Sequence, residues 1–182
     1  MTKVFIGGSR RISQLNIEVR KRIDRIIEQG FLVLVGDANG VDKIVQSYLQ
    51  SRGYEVVEVF CSGGKCRNNL GKWPVRAVAT SQTRRDFNYY AAKDEQMAQE
   101  ASVGLMIWDG KSAGTIANVA RLLRQQKNVV VYDAPAKRFI TLKVEADLDY
   151  LLSRCERDVQ EKVLAAKKGQ VPEEDRRQRS LF

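Results

Sequence analysis

The chain has no histidine, only three cysteines, and no apolar run that approaches the roughly 18 residues a membrane span requires. Without histidine, the cysteines at 61, 66 and 155 lack the partner ligands of a zinc site. Their odd number and unrelated spacings make no disulfide framework, although Cys61 and Cys66 bracket a Gly-Gly turn. A chain of 182 residues buries a sufficient core without metal or disulfide staples. The amino-terminal "MTKVFIGG" reads as a strand rather than a signal peptide. Internal repeats and low-complexity linkers are also missing. The expectation is a soluble, cytoplasmic protein with no metal, no cofactor and no membrane partner. It has one domain over residues 1–155, then a C-terminal helix and flexible charged tail over 156–182.

Charge is plentiful and unevenly placed. The 31 basic and 22 acidic residues leave a net charge of +9. Between Phe60 and Lys93 stand seven basic residues (Lys65, Arg67, Lys72, Arg76, Arg84, Arg85 and Lys93) against one acid, Asp86. From Glu156 onward seven basic residues face six acids, the balance of a solvated helix running into a disordered end.

Short β-rich runs alternate with stretches of helical period. "KVFIGG", "FLVLVG", "YEVVEVF", "SVGLMIW" and "NVVVY" are the strands. Between them lie helices over Ser13–Gln29, Gly40–Arg52, Asp86–Glu100 and about Ala113–Gln126, with a long insertion after the third strand. Such alternation means parallel crossovers and an open sheet covered on both faces. The predicted fold is α/β, a Rossmann-like three-layer sandwich with a parallel sheet of about five strands. "KRFITLK" after Pro135 offers an extra C-terminal strand, followed by a helix from Glu145. Ser13 stands where a cap of the first helix is wanted, with Leu15, Val19, Ile23 and Ile26 on one helical face. Gly30 and Gly53 occupy left-handed C-terminal positions.

Ligands in such sheets bind beyond the carboxyl ends of the strands, where the order of connection reverses. Three of those ends carry glycine and small polar residues. "GGSRR" supplies Gly8, Ser9 and Arg10; "GDANGVD" supplies Gly36, Asp37 and Asp42. "WDGKSAGT" supplies Asp109, Gly110, Ser112, Gly114 and Thr115, leading into a helix N-terminus that favours an anion. The last loop is not a Walker motif. Gly104 precedes Gly110 by six positions where five are needed, and it sits inside an apolar strand. Sharp turns account for the glycines but not for the polar residues gathered beside them.

Gly-Ser-Arg after the first strand, Gly-Asp-Ala-x-Gly-x-Asp after the second and a Gly-Thr step opening the helix after the fourth resemble the SLOG superfamily. That group includes nucleotide-sensing domains, the cytokinin-activating phosphoribohydrolases and the Rossmann part of DNA-processing protein A. The resemblance covers about residues 3–132. It implies a site for a nucleotide or an ADP-ribose-like molecule, with Gly8, Ser9 and Arg10 in one wall and Gly36, Asp37 and Asp42 in another. Gly114 and Thr115 would hold the phosphate, and a homo-oligomer is implied. The phosphoribohydrolases keep a glutamate three residues after the threonine, whereas this chain has Asn118. Asparagine cannot serve as a carboxylate nucleophile but can bond a ribose hydroxyl.

Binding or sensing of a nucleotide-derived small molecule is therefore expected first, with Arg84, Arg85 and Lys93 reaching phosphates. An N-glycosidase acting on nucleoside 5'-phosphates is the alternative, and it needs Asp42, Asp94 or Asp109 to replace the missing glutamate; Asp94 and Asp109 are the catalytic candidates. Single-stranded DNA binding comes third, because the aromatics form no nucleic-acid motif and the excess charge is confined to one stretch.

Overall fold

Strands that are apolar on both faces must be covered twice, and the chain achieves this by crossing over after almost every strand. The computed structural model describes residues 1–79 and 87–168. It contains β1 (Lys3–Gly8), α1 (Ile17–Glu28), β2 (Leu32–Gly36), α2 (Val41–Ser51), β3 (Val57–Ser62), β4 (Val75–Val78) and α3 (Phe87–Glu100). There follow β5 (Val103–Trp108), α4 (Ala113–Arg124), β6 (Val129–Asp133), β7 (Arg138–Leu142), α5 (Ala146–Ser153) and α6 (Arg157–Lys168). The strands form one sheet in the order β4-β3-β2-β1-β5-β6-β7. All neighbours are parallel except β6 and β7.

The fold class is as the sequence predicts, with a larger sheet. β4 lies within the segment read as an insertion. Its sequence "VRAV" is largely exposed on the sheet edge and so carries no burial pattern to read. The C-terminal strand exists, but a tight connection after β6 turns it antiparallel. The first helix starts later than expected. Asn16, rather than Ser13, caps it, its side-chain oxygen accepting from the Glu18 amide at 2.9 Å. Both residue types cap helices, and the sequence shows both.

Alternate residues of the strands feed two cores. Phe5, Leu34, Phe60, Met106 and Trp108 face α3, α4, α5 and α6. Val4, Ile6, Val35, Val59 and Ile107 face α1 and α2, where Val19, Ile23 and Val45 are buried. Val159 and Val163 of α6 join the first core, so the chain beyond Cys155 packs back on the domain as far as this helix is described. Gly30 and Gly53 do adopt left-handed conformations, φ +65° and +62°. No described helix is long and apolar enough to cross a membrane.

The cysteines depart from expectation. Cys61 at the end of β3 and Cys66 are joined in a disulfide, with Cα atoms 5.2 Å apart, while Cys155 is free and buried. Gly63, at φ +77°, folds the segment back on itself, which makes a local ring rather than a framework.

Candidate functional site

β1 and β5 are neighbours, and the chain leaves them in opposite directions across the sheet. This is the crevice where open α/β sheets hold ligands. A Cβ at Gly8 would land on the Ile107 carbonyl, so only glycine lets the two strand ends approach this closely. The Ser9 amide then donates to the Ile107 carbonyl at 3.0 Å. Beyond these ends lies a cavity of about 480 Å³. The loop after β1 lines it with Gly8, Ser9, Arg10 and Arg11, and the segment after β2 contributes Ala38 and Asp42. From α3 come Tyr90, Lys93 and Asp94, and from the turn after β5 with α4 come Asp109, Ser112, Gly114, Thr115 and Asn118.

Asp109 ties its own loop to the loop after β1. One carboxylate oxygen accepts from the Ser9 hydroxyl at 2.7 Å, and the other accepts from the amides of Lys111 and Ser112 at 3.0 and 2.8 Å. Burial disfavours its charge, but these donors outweigh burial and hold the carboxyl below the usual aspartate range. Ser112 caps α4, accepting from the Thr115 amide at 3.3 Å, and the Thr115 hydroxyl lies 3.0 Å from the Ser112 hydroxyl. The first turn of α4, with Gly114 in it, is thereby fixed at the cavity wall, where helix amides without intrahelical acceptors attract an anion.

Asp94 is held by side chains from two helices. Lys93 Nζ donates to one oxygen at 2.7 Å and Asn118 Nδ2 donates to the other at 3.2 Å. Asn118 is oriented in turn by the buried Arg121, whose Nη1 donates to Asn118 Oδ1 at 2.7 Å while its Nε pairs with Glu95 at 3.1 Å. Asn118 thus positions a carboxylate brought from α3. Asp94 retains lone pairs toward the cavity.

Lys93 is buried, 4% exposed, and also lies 3.7 Å from Asp42. Burial works against its charge, yet Asp94 and Asp42 win and raise its pKa. Asp42 is pushed up to about 6, chiefly by burial and against the pull of Lys93. Gly36 does not line the cavity; a Cβ there would strike both Asp42 Oδ2 and Lys93 Nζ, so it makes room for the pair. Asp37 is likewise set back, clamped by Arg67 through Nε at 3.0 Å and Nη2 at 2.6 Å. Burial raises the Asp37 pKa, but these bonds outweigh it and leave it lowered. Gly110 forms the turn, at φ +81°, rather than the wall.

Of the residues expected at the site, Gly8, Ser9, Arg10, Asp42, Asp94, Asp109, Ser112, Gly114, Thr115 and Asn118 share one cavity, and Gly36, Asp37 and Gly110 support it from outside. Arg84 and Arg85 lie outside the described residues. Lys93, expected to reach a phosphate, lines the cavity and is held between two carboxylates. Arg11 and Tyr90 were missed as cavity residues. Arg11 could have been found as the second half of the Arg-Arg pair after β1. Tyr90 could have been found one helical turn before Asp94. Arg10 lies 5.1 Å and Arg67 4.3 Å from the Tyr90 ring centroid. Neither Arg10 nor Arg11 has an ion pair among the described residues. No group of acids and cysteines suited to a metal ion occurs among the described residues. No protein-family profile matches the chain and no curated protein matches it in sequence.

Proposed function

We propose that the cleft binds a phosphate-bearing nucleotide derivative, a nucleotide or an ADP-ribose-like molecule, as the resemblance to the SLOG superfamily implies. The observation that carries this reading is the pairing, in one cavity, of a capped helix N-terminus with a carboxylate fixed for hydroxyl donors. The phosphate rests on the first turn of α4, and Arg10 and Arg11, which line the same cavity, supply positive charge beside it. Asp94, repelling a phosphate, accepts from the sugar hydroxyls. Native mass spectrometry of the purified full chain tests this reading, followed by a screen of nucleoside monophosphates, ADP-ribose and cyclic ADP-ribose. Retention of a nucleotide-sized molecule, or saturable binding of one of these, supports it. Failure of every member to bind counts against it.

A second reading is N-glycosidic cleavage of a nucleoside 5'-phosphate, favoured by the orientation of Asp94 by Asn118. In it the Asp94 carboxylate faces the anomeric carbon in place of the missing glutamate. Release of free base by the unmodified protein, lost in Asp94→Asn, supports cleavage. Absence of release with binding intact leaves the protein a binder.

A further inference from the structure

The only described disulfide closes a six-residue ring beside the cleft, and the residue after it reaches into the cleft's support. Cys61 is buried at the end of β3, while Cys66 is partly exposed and flanked in sequence by Lys65 and Arg67. The Arg67 amide donates to Asp37 Oδ2 at 3.0 Å, its guanidinium clamps the same carboxylate, and it lies over the Tyr90 ring. Inside the ring, the Tyr89 hydroxyl donates to the Ser62 carbonyl at 2.9 Å, and a Cβ at Gly63 would strike that hydroxyl. The ring is therefore packed against the start of the helix that carries Tyr90, Lys93 and Asp94.

We propose that Cys61 and Cys66 form an exchangeable dithiol–disulfide centre that reacts with small anionic disulfides, such as oxidised glutathione, and sets Arg67, which backs the cleft through Asp37 and Tyr90. The partly exposed Cys66 is the point of entry, and Lys65 and Arg67 favour the approach of an anion. Its thiolate attacks one sulfur of glutathione disulfide. A mixed disulfide forms, and one glutathione thiolate leaves and takes up a proton. The Cys61 thiol loses its proton to solvent and attacks the Cys66 sulfur, expelling the second glutathione. Two protein thiols are oxidised and one glutathione disulfide is reduced to two thiols. The 5.2 Å Cα separation suits the bond with no backbone movement. Oxidation ties residue 66 to β3 and so restricts Arg67. Reduction releases residue 66 from β3, leaving Arg67 held by its pairing with Asp37 and its contact with the Tyr90 ring.

The full chain, equilibrated over a series of reduced-to-oxidised glutathione ratios, tests the proposal. Thiols are trapped by alkylation and mapped by peptide mass, and amide exchange is followed at Arg67 and along the start of α3. The expected result is a Cys61–Cys66 bond that forms reversibly with the ratio, with Cys155 unreacted in the folded chain. The Arg67 amide should exchange about tenfold faster once the bond is reduced, as loss of a loop constraint implies. Cys66→Ser should exchange like the reduced protein at every ratio. If that variant fails to fold, the wild-type chain in its two states supplies the same comparison. Free thiols or a stable glutathione adduct at all ratios, or equal Arg67 protection in both states, would overturn the proposal.

Discussion

Asp94 and Asp109 border the same cleft, yet their surroundings differ in kind. Asp109 sits in a turn and gives its oxygens to two amides of that turn and to the Ser9 hydroxyl from the loop after β1. Asp94 sits on a helix flank and is held by a lysine and an asparagine whose own positions depend on Asp42 and Arg121. A carboxylate consumed by the loops after β1 and β5 builds the site. A carboxylate held by side chains from two helices, with acceptor capacity left over, is available to a ligand. The types of the two residues are identical, and only the origin of their donors separates them.

The largest effect should come from breaking the builder. Asp109→Ala removes three hydrogen bonds to a charged acceptor and frees the turn before α4; a loss of about 2 to 4 kcal/mol in unfolding free energy is expected by urea denaturation. Asp94→Asn keeps the shape but leaves one acceptor oxygen for two donors, Lys93 and Asn118, so it should lower stability by about 1 to 2 kcal/mol while weakening ligand binding. Equal stability losses in the two variants would erase the distinction.

Gly114→Val sharpens the comparison from the phosphate side. Bulk at this wall position should weaken nucleotide binding by more than tenfold, beyond the roughly 1 kcal/mol by which glycine and ordinary residues differ in a helix. Calorimetry on the folded variant reads the difference. Alanine at both Arg10 and Arg11 should cost about tenfold, the worth of one charge-assisted bond to phosphate.

A further effect is the pH response of the Asp42–Lys93 pair. Because burial pushes Asp42 up to about 6 in the folded chain, from 3.8 for a free aspartate, its contribution to stability is full below about pH 4 and is lost as pH rises through 6. Asp109, held low, contributes in the opposite sense: its share is present above 3.8 and is lost as pH falls further. Asp42→Asn should remove the first trend only. Urea denaturation of this variant should therefore show stability rising more with pH between 4 and 6 than in the wild type.

Strand periodicity and glycine stops made the sheet legible, because burial of alternate residues leaves a direct trace in sequence. β4 left none, being short and exposed at an edge. The loops after β1 and β5 were legible as site walls because their glycines and small polar residues depart from what turns alone require. The α3 wall was harder. Lys93 and Asp94 look like an ordinary surface pair until the fold brings Asp42 and Asn118 against them, and no local spacing encodes that meeting. Cys61 and Cys66 were legible as a turn but not as a bond, since a count of cysteines says nothing about which two a backbone reversal brings together.

The central claim is that the crevice between β1 and β5 holds a phosphate-bearing nucleotide derivative. Titration calorimetry of the full chain with nucleoside monophosphates and ADP-ribose, run beside Gly114→Val and Asp94→Asn, tests it most directly. The account predicts saturable binding of at least one of these ligands to the wild type, near-complete loss in Gly114→Val and weakening in Asp94→Asn, with both variants folded. Binding that is unchanged in Gly114→Val, or no binding by the wild type to any of them, would contradict it.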